Sequence, residues 1–99
     1  MYARVAKWEG AEGDALRSSG RQMNERAADG PPEGVPATGF LMLMDPDSGR
    51  SLAISLFDSE DDMRKGDEAL NAMNPDPSMG DVGRRSMVEM YEVAVDVRA

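Results

Sequence analysis

The segment Gly39–Phe57, GFLMLMDPDSGRSLAISLF, constrains the fold of this chain more than any other part. In an extended strand successive side chains point to opposite faces. Phe40, Met42 and Met44 therefore share one face of the first half and Leu41 and Leu43 the other, and both faces are apolar. Asp45–Arg50 supplies the Pro, Ser and Gly that turns use. Leu52–Phe57 then returns with Leu52, Ile54 and Leu56 on one side and Ala53, Ser55 and Phe57 on the other. Such a hairpin has to be covered from both sides.

The remaining residues offer cover for one side. Tyr2–Trp8 has strand composition, with Ala3 and Val5 on one face and Tyr2, Arg4, Ala6 and Trp8 on the other. After EGAEG, Asp14 stands where an N-cap belongs, and Leu16, Gly20, Met23 and Ala27 recur at the spacing of an amphipathic helix. Gly20 costs such a helix about 1 kcal/mol relative to alanine unless a close contact offsets it. The Pro/Gly-rich Asp29–Gly39 is a loop. Ser59 and Asp62 form a capping pattern before Met63, Gly66, Leu70 and Met73, and Pro75 stops the second helix. Asn74–Ser86 reads as a mobile connection. Met87–Val97 reads as a long last strand with Tyr91, Val93, Val95 and Val97 on one face.

The resulting order predicts an α+β, ferredoxin-like βαββαβ domain over residues 1–99, a four-stranded antiparallel sheet with two helices on one face. Two helices leave the second face bare, and an apolar face of that size is unusual on a soluble monomer. A second copy is the simplest cover, so a homodimer through the sheet faces is expected.

Composition then removes whole classes of chemistry. The chain has no cysteine and no histidine. Disulfides, thiolate metal sites, Ser-His-Asp triads, ordinary zinc catalysis and a His-ligated haem are excluded, and no cofactor or metal is expected. A formal charge of −8 repels phosphate backbones and anionic lipid, so neither nucleic acid nor a membrane is expected as a partner. The longest apolar run is Phe40–Met44, no signal peptide is recognisable, and a reducing cytoplasm is the expected location.

With YARVAKWEG opening the chain, GFLMLMDPDSGRSLAISLFDSEDDMRKGDEALNAM as hairpin plus second helix, and VEMYEVAVDV closing it, the chain resembles the dimeric α+β barrel superfamily. Within it, the chain is similar to small proteins of the antibiotic-biosynthesis-monooxygenase group. The resemblance implies two sheets packed face to face as a barrel. It also implies a range of activities, from cofactor-independent oxygenation of polyphenols to haem degradation. The haem branch carries an asparagine in the first strand, and this chain has none there; Asn24, Asn71 and Asn74 fall on or beside the helices.

Arg4, Trp8, Tyr91 and Glu89 are the candidate site. A cofactor-free reaction on an aromatic molecule needs a cation to steady an oxyanion, an aromatic wall, a phenolic donor and a base. Arg4 and Trp8 share one face of the first strand, which should neighbour the last strand carrying Tyr91 and Glu89. The plainer interpretation is that Trp8 and Tyr91 are packing and that Arg4 pairs with Glu89 or another acid. Asp45, Asp47 and Gly49 suggest a calcium loop, but Arg50 and Leu56 stand where an EF-hand needs Gly and Glu, so a turn is expected. Glu60–Asp62 suits a helix N-terminus. GDVGRR, 80–85, sets glycines beside two cations as for an anionic ligand, but it lacks the Lys-Ser/Thr of a phosphate loop, so a solvated loop is expected. Two functions remain: an oxygenase-like enzyme acting on a phenol or quinol, and a noncatalytic dimeric ligand-binding or accessory module.

Overall fold

The computed structural model describes residues 1–31, 34–72 and 83–97. Its elements run β1 (Tyr2–Glu9), α1 (Gly13–Ala27), β2 (Gly39–Asp45), β3 (Arg50–Phe57), α2 (Glu60–Ala72) and β4 (Arg84–Glu92). The sheet order is β2-β3-β1-β4, with every neighbouring pair antiparallel. This is the ferredoxin-like βαββαβ arrangement that the sequence predicts.

Register fixes which side chains share a face, because residues directly opposite one another in an antiparallel pair project the same way. Arg4 faces Ser55 and Met90, Trp8 faces Ser51, and Tyr2 faces Phe57. This is the helix side: α2 lies against β1 and β3, and α1 lies against β2. Phe57, with 0 % exposure, forms the core with Val35 and Met63, and Tyr2, Ala37, Ala69 and Leu70 pack around it. Small residues let the helices come close. A Cβ on Gly66 would lie 2.6 Å from Phe57 Cζ, and one on Gly20 would meet Met44 Cε, so both glycines are contact points between helix and sheet.

The opposite face is bare. Ile54 faces Val5 and Leu41, while Leu52 faces Lys7 and Leu43, and no helix covers them. Leu41 and Leu43 are about half exposed, and one concavity lined by Lys7, Leu43, Leu52 and Met87 opens there.

Three boundaries differ from expectation. α1 starts at Gly13 after Glu12, which makes no side-chain cap bond, and Asp14 sits inside the first turn. A Cβ on Gly13 would crowd Pro46 O at 2.9 Å, so contact with the β2–β3 turn sets this helix start in place of a local cap. Ser59 does cap α2, its Oγ accepting from Asp62 N–H at 3.1 Å. β4 begins at Arg84 and ends at Glu92. Val93 N–H donates to Met1 O, and Val95 and Val97 are outside the strand and exposed. Most of the expected connection, residues 73–82, lies outside the described residues.

Candidate functional site

Arg4 is the buried cation around which the site is built. Its strand position points it at α2, where Asp67 and Asn71 stand one turn apart and so project from one side of the helix. Arg4 Nε donates to Asp67 Oδ1 at 2.7 Å and Nη2 donates to Asn71 Oδ1 at 3.1 Å. Arg4 is 4 % exposed, and burial of a guanidinium requires this kind of pairing. Arg85, on β4, donates through Nη1 to the same Asn71 Oδ1 at 2.7 Å.

Two guanidinium groups thus converge on one neutral amide oxygen, and Asp67 is the carboxylate bonded into the cluster. Among the described residues Arg85 forms no ion pair within 4.0 Å. Among the described residues of this cluster two guanidinium groups stand against one carboxylate, on a chain that is strongly acidic overall. The last turn of α2 carries no basic residue, so Arg4 and Arg85 also complement the negative end of its dipole.

An apolar strip borders this charge. Among the described residues neither helix packs closely against β4, and on its helix side Met90 is exposed and Val88 half-buried. Val88 faces Ala6, Met90 faces Arg4 and is 46 % exposed, and Arg85 faces the half-buried Trp8. The site combines a cationic corner, an indole and a partly exposed aliphatic floor. That combination suits a flat molecule with one oxyanion or carboxylate edge.

Of the residues singled out in the sequence, Arg4 and Trp8 come together on the helix side. Tyr91 and Glu89 do not join them. Tyr91 faces Ala3 and Glu89 faces Val5, which places both on the bare side, with the sheet between them and Arg4. The expected four-residue constellation is corrected to two pairs on opposite faces. Arg4 finds its acid in Asp67 on α2; the sequence reading missed Asp67 and Asn71, and it set Arg85 aside in a solvated loop where the structure has it in β4. A signal was available, since Asp67 and Asn71 follow Met63 at four-residue steps beside the buried stripe of α2.

The other candidates resolve as structure. Asp45–Arg50 is a hairpin turn with Gly49 at φ 71°, and Arg50 Nη2 donates to Asp45 Oδ2 at 3.3 Å. Hydrogen bonding from Ser48, then from Arg50, lowers the Asp45 pKa below the ordinary aspartate value. Glu60–Asp62 form the first turn of α2, and Arg84 and Arg85 open β4, while 80–82 of the glycine-rich segment fall outside the described residues. Among the described residues no group of three or more Asp or Glu is placed to hold a metal ion, and no helix is long and apolar enough to cross a membrane.

No family model matches the chain, and no curated protein matches it. Among solved structures it is similar to MhuD from Mycobacterium tuberculosis, described as a heme-degrader with two hemes bound in its active site. The TM-score is 0.64 at 14 % identity, over 99 % of this chain and all of that one. This likeness shows the fold, the ferredoxin-like βαββαβ arrangement described above. Heme itself does not fit the residues present here. The chain has no imidazole or thiolate to hold the iron, and the sulfur on the site's floor, Met90, lies opposite a guanidinium.

Proposed function

We propose that this chain is a dimeric, small-molecule-binding protein that acts on an electron-rich aromatic metabolite, a phenol or quinol, as a cofactor-independent oxygenase-like enzyme. The observation that carries this reading is the convergence of Arg4 and Arg85 on Asn71 beside the half-buried Val88 and the exposed Met90. A ring lying on that strip next to Trp8 turns its oxygen toward the cations, which favour the ionised form as charge develops. We assign the proton to Asp67, the carboxylate bonded to Arg4, in the role that the sequence reading gave to Glu89.

Dioxygen is the oxidant. A ring C–H carbon becomes a carbonyl carbon with one oxygen atom of dioxygen, the other atom leaves with two hydrogens as water, and the substrate supplies the electrons. The fold likeness to a heme-degrader supports oxygenase-type chemistry on a flat conjugated molecule only at this coarse level. The homodimer is part of the proposal, because the half-exposed Leu41, Leu43 and Tyr91 lie on a face that no helix covers.

The second reading, a noncatalytic dimeric module, draws on one observation. Arg4 is already engaged by Asp67 and Asn71, as a structural ion pair would be. An oxygen electrode separates the readings when chelator-treated protein is offered a panel of phenols and quinols, with native mass spectrometry recording binding. Oxygen uptake that depends on protein and falls in Asp67→Asn supports the enzyme. Binding without uptake supports the module, and neither binding nor uptake refutes both.

A further inference from the structure

We infer that the group received at this site is a carboxylate carried on an aromatic ring, and that Arg85, rather than Arg4, grips it. The inference rests on the reading of the site given above and narrows its ligand class from phenols and quinols at large to those that carry a carboxylate.

Division of labour between the two arginines leads to it. Arg4 is buried, its Nε is committed to Asp67 and its Nη2 to Asn71, so little of its donor capacity faces outward. Arg85 is exposed and donates to a neutral amide oxygen. Its charge is the one that Asp67, bonded to Arg4, does not offset. A guanidinium presents paired N–H donors in a fork that matches the two oxygens of a carboxylate.

A phenol meets this arrangement at a disadvantage near neutral pH, because its ordinary pKa of about 10 leaves it protonated. A carboxylic acid arrives already ionised. Asn71 makes the exchange local: its Oδ1 stays on Arg4 Nη2 when a carboxylate oxygen replaces it on Arg85, so the buried guanidinium keeps its acceptor. The ring of the acid then extends over Val88 and Met90, with Trp8 opposite Arg85 across the β1–β4 pair.

Isothermal titration calorimetry with 4-hydroxybenzoate, its uncharged methyl ester and phenol tests the inference on the intact protein. The acid is expected to bind roughly tenfold more tightly than the ester, the scale of one charge-assisted hydrogen bond. In Arg85→Gln that preference should vanish while ester affinity persists, and in Arg85→Lys it should survive in part. Arg85 is exposed, so circular dichroism should report an unchanged fold in both variants. Equal affinity for acid and ester, or a preference that survives Arg85→Gln, overturns the carboxylate inference and leaves the aromatic site standing. No heat from any of the three ring compounds overturns the inference together with the site on which it rests.

Discussion

Replacing each of the two contact glycines by alanine gives opposite outcomes from the same chemical change. Alanine in a helix interior is favoured over glycine by about 1 kcal/mol, which applies equally to Gly20 in α1 and Gly66 in α2. What the new methyl group meets differs. At Gly66 it drives into Cε1 and Cζ of Phe57, a rigid ring with 0 % exposure at the centre of the core. Overpacking of that kind costs roughly 1–3 kcal/mol, so the net effect of Gly66→Ala is a loss of about 1 kcal/mol. At Gly20 it meets Cε of Met44, the free end of a flexible side chain that is 37 % exposed and can swing aside. Gly20→Ala therefore keeps most of its helix gain. The two variants should differ by about 2 kcal/mol, or roughly 10 °C in Tm for a domain of this size. Thermal and urea unfolding followed by circular dichroism, at one fixed protein concentration, measures the difference. A Gly66→Ala protein as stable as Gly20→Ala would refute the close approach of α2 to the sheet. The placement of Asp67 and Asn71 over Arg4 would fall with it.

Other outcomes follow from the same structure. Arg4→Met leaves the Asp67 carboxylate, about a fifth exposed, without its guanidinium and should cost about 2 kcal/mol; adding Asp67→Leu should recover part of that in a double-mutant cycle. Ser59→Ala removes the Oγ that accepts from Asp62 N–H and should cost about 1 kcal/mol by urea unfolding. Because the Asp45 pKa is lowered by folding, its contribution is present above the unfolded-state value and lost as pH falls through the folded one; Asp45→Asn should flatten the acid limb of the stability profile slightly. Light scattering at micromolar concentration should give a dimer mass, and Leu41→Lys on the bare face should shift it toward monomer.

Local patterns told what the elements are, and long-range pairing decided what they bring together. The two-faced hairpin was legible because alternation over Phe40–Met44 has a period of two and the turn residues mark its ends. Gly20 was legible as a contact point because a glycine on an apolar helical stripe needs a close contact to offset its cost, whereas Gly66 was legible only as a member of its stripe. The site was half legible. Arg4 and Trp8 share a face by spacing alone, and so do Glu89 and Tyr91, but whether the two faces coincide depends on the register of β1 against β4. Both faces of β4 mix apolar and polar residues, so its sequence does not specify which side turns inward. A register shift between Lys7 and Trp8 adds a step that no strand pattern carries. Asp67 and Asn71 were hidden for a related reason: polar residues beside a helix's buried stripe usually face water, and only a cation on the sheet beneath draws them in.

The corrected placement separates two tasks that the sequence reading had merged. The helix side holds the charged cluster and the strip on β4, whereas the bare side is graded across the sheet. Leu41, Leu43, Leu52, Ile54 and Leu56 concentrate on β2 and β3, and Lys7, Glu89 and Tyr91 lie toward β4. A second copy gains most by covering the leucine-rich half, since burial of apolar area drives association while burial of unpaired charge opposes it. Tyr91 and Glu89 then belong at the edge of the subunit contact, where a phenol and a carboxylate keep access to water or to polar partners. The helix-side cluster lies on the opposite surface of the sheet, so a second copy seated on the leucine-rich half would not touch it. Ligand binding and dimer formation should accordingly respond to different substitutions, Arg85 governing the first and Leu41 the second.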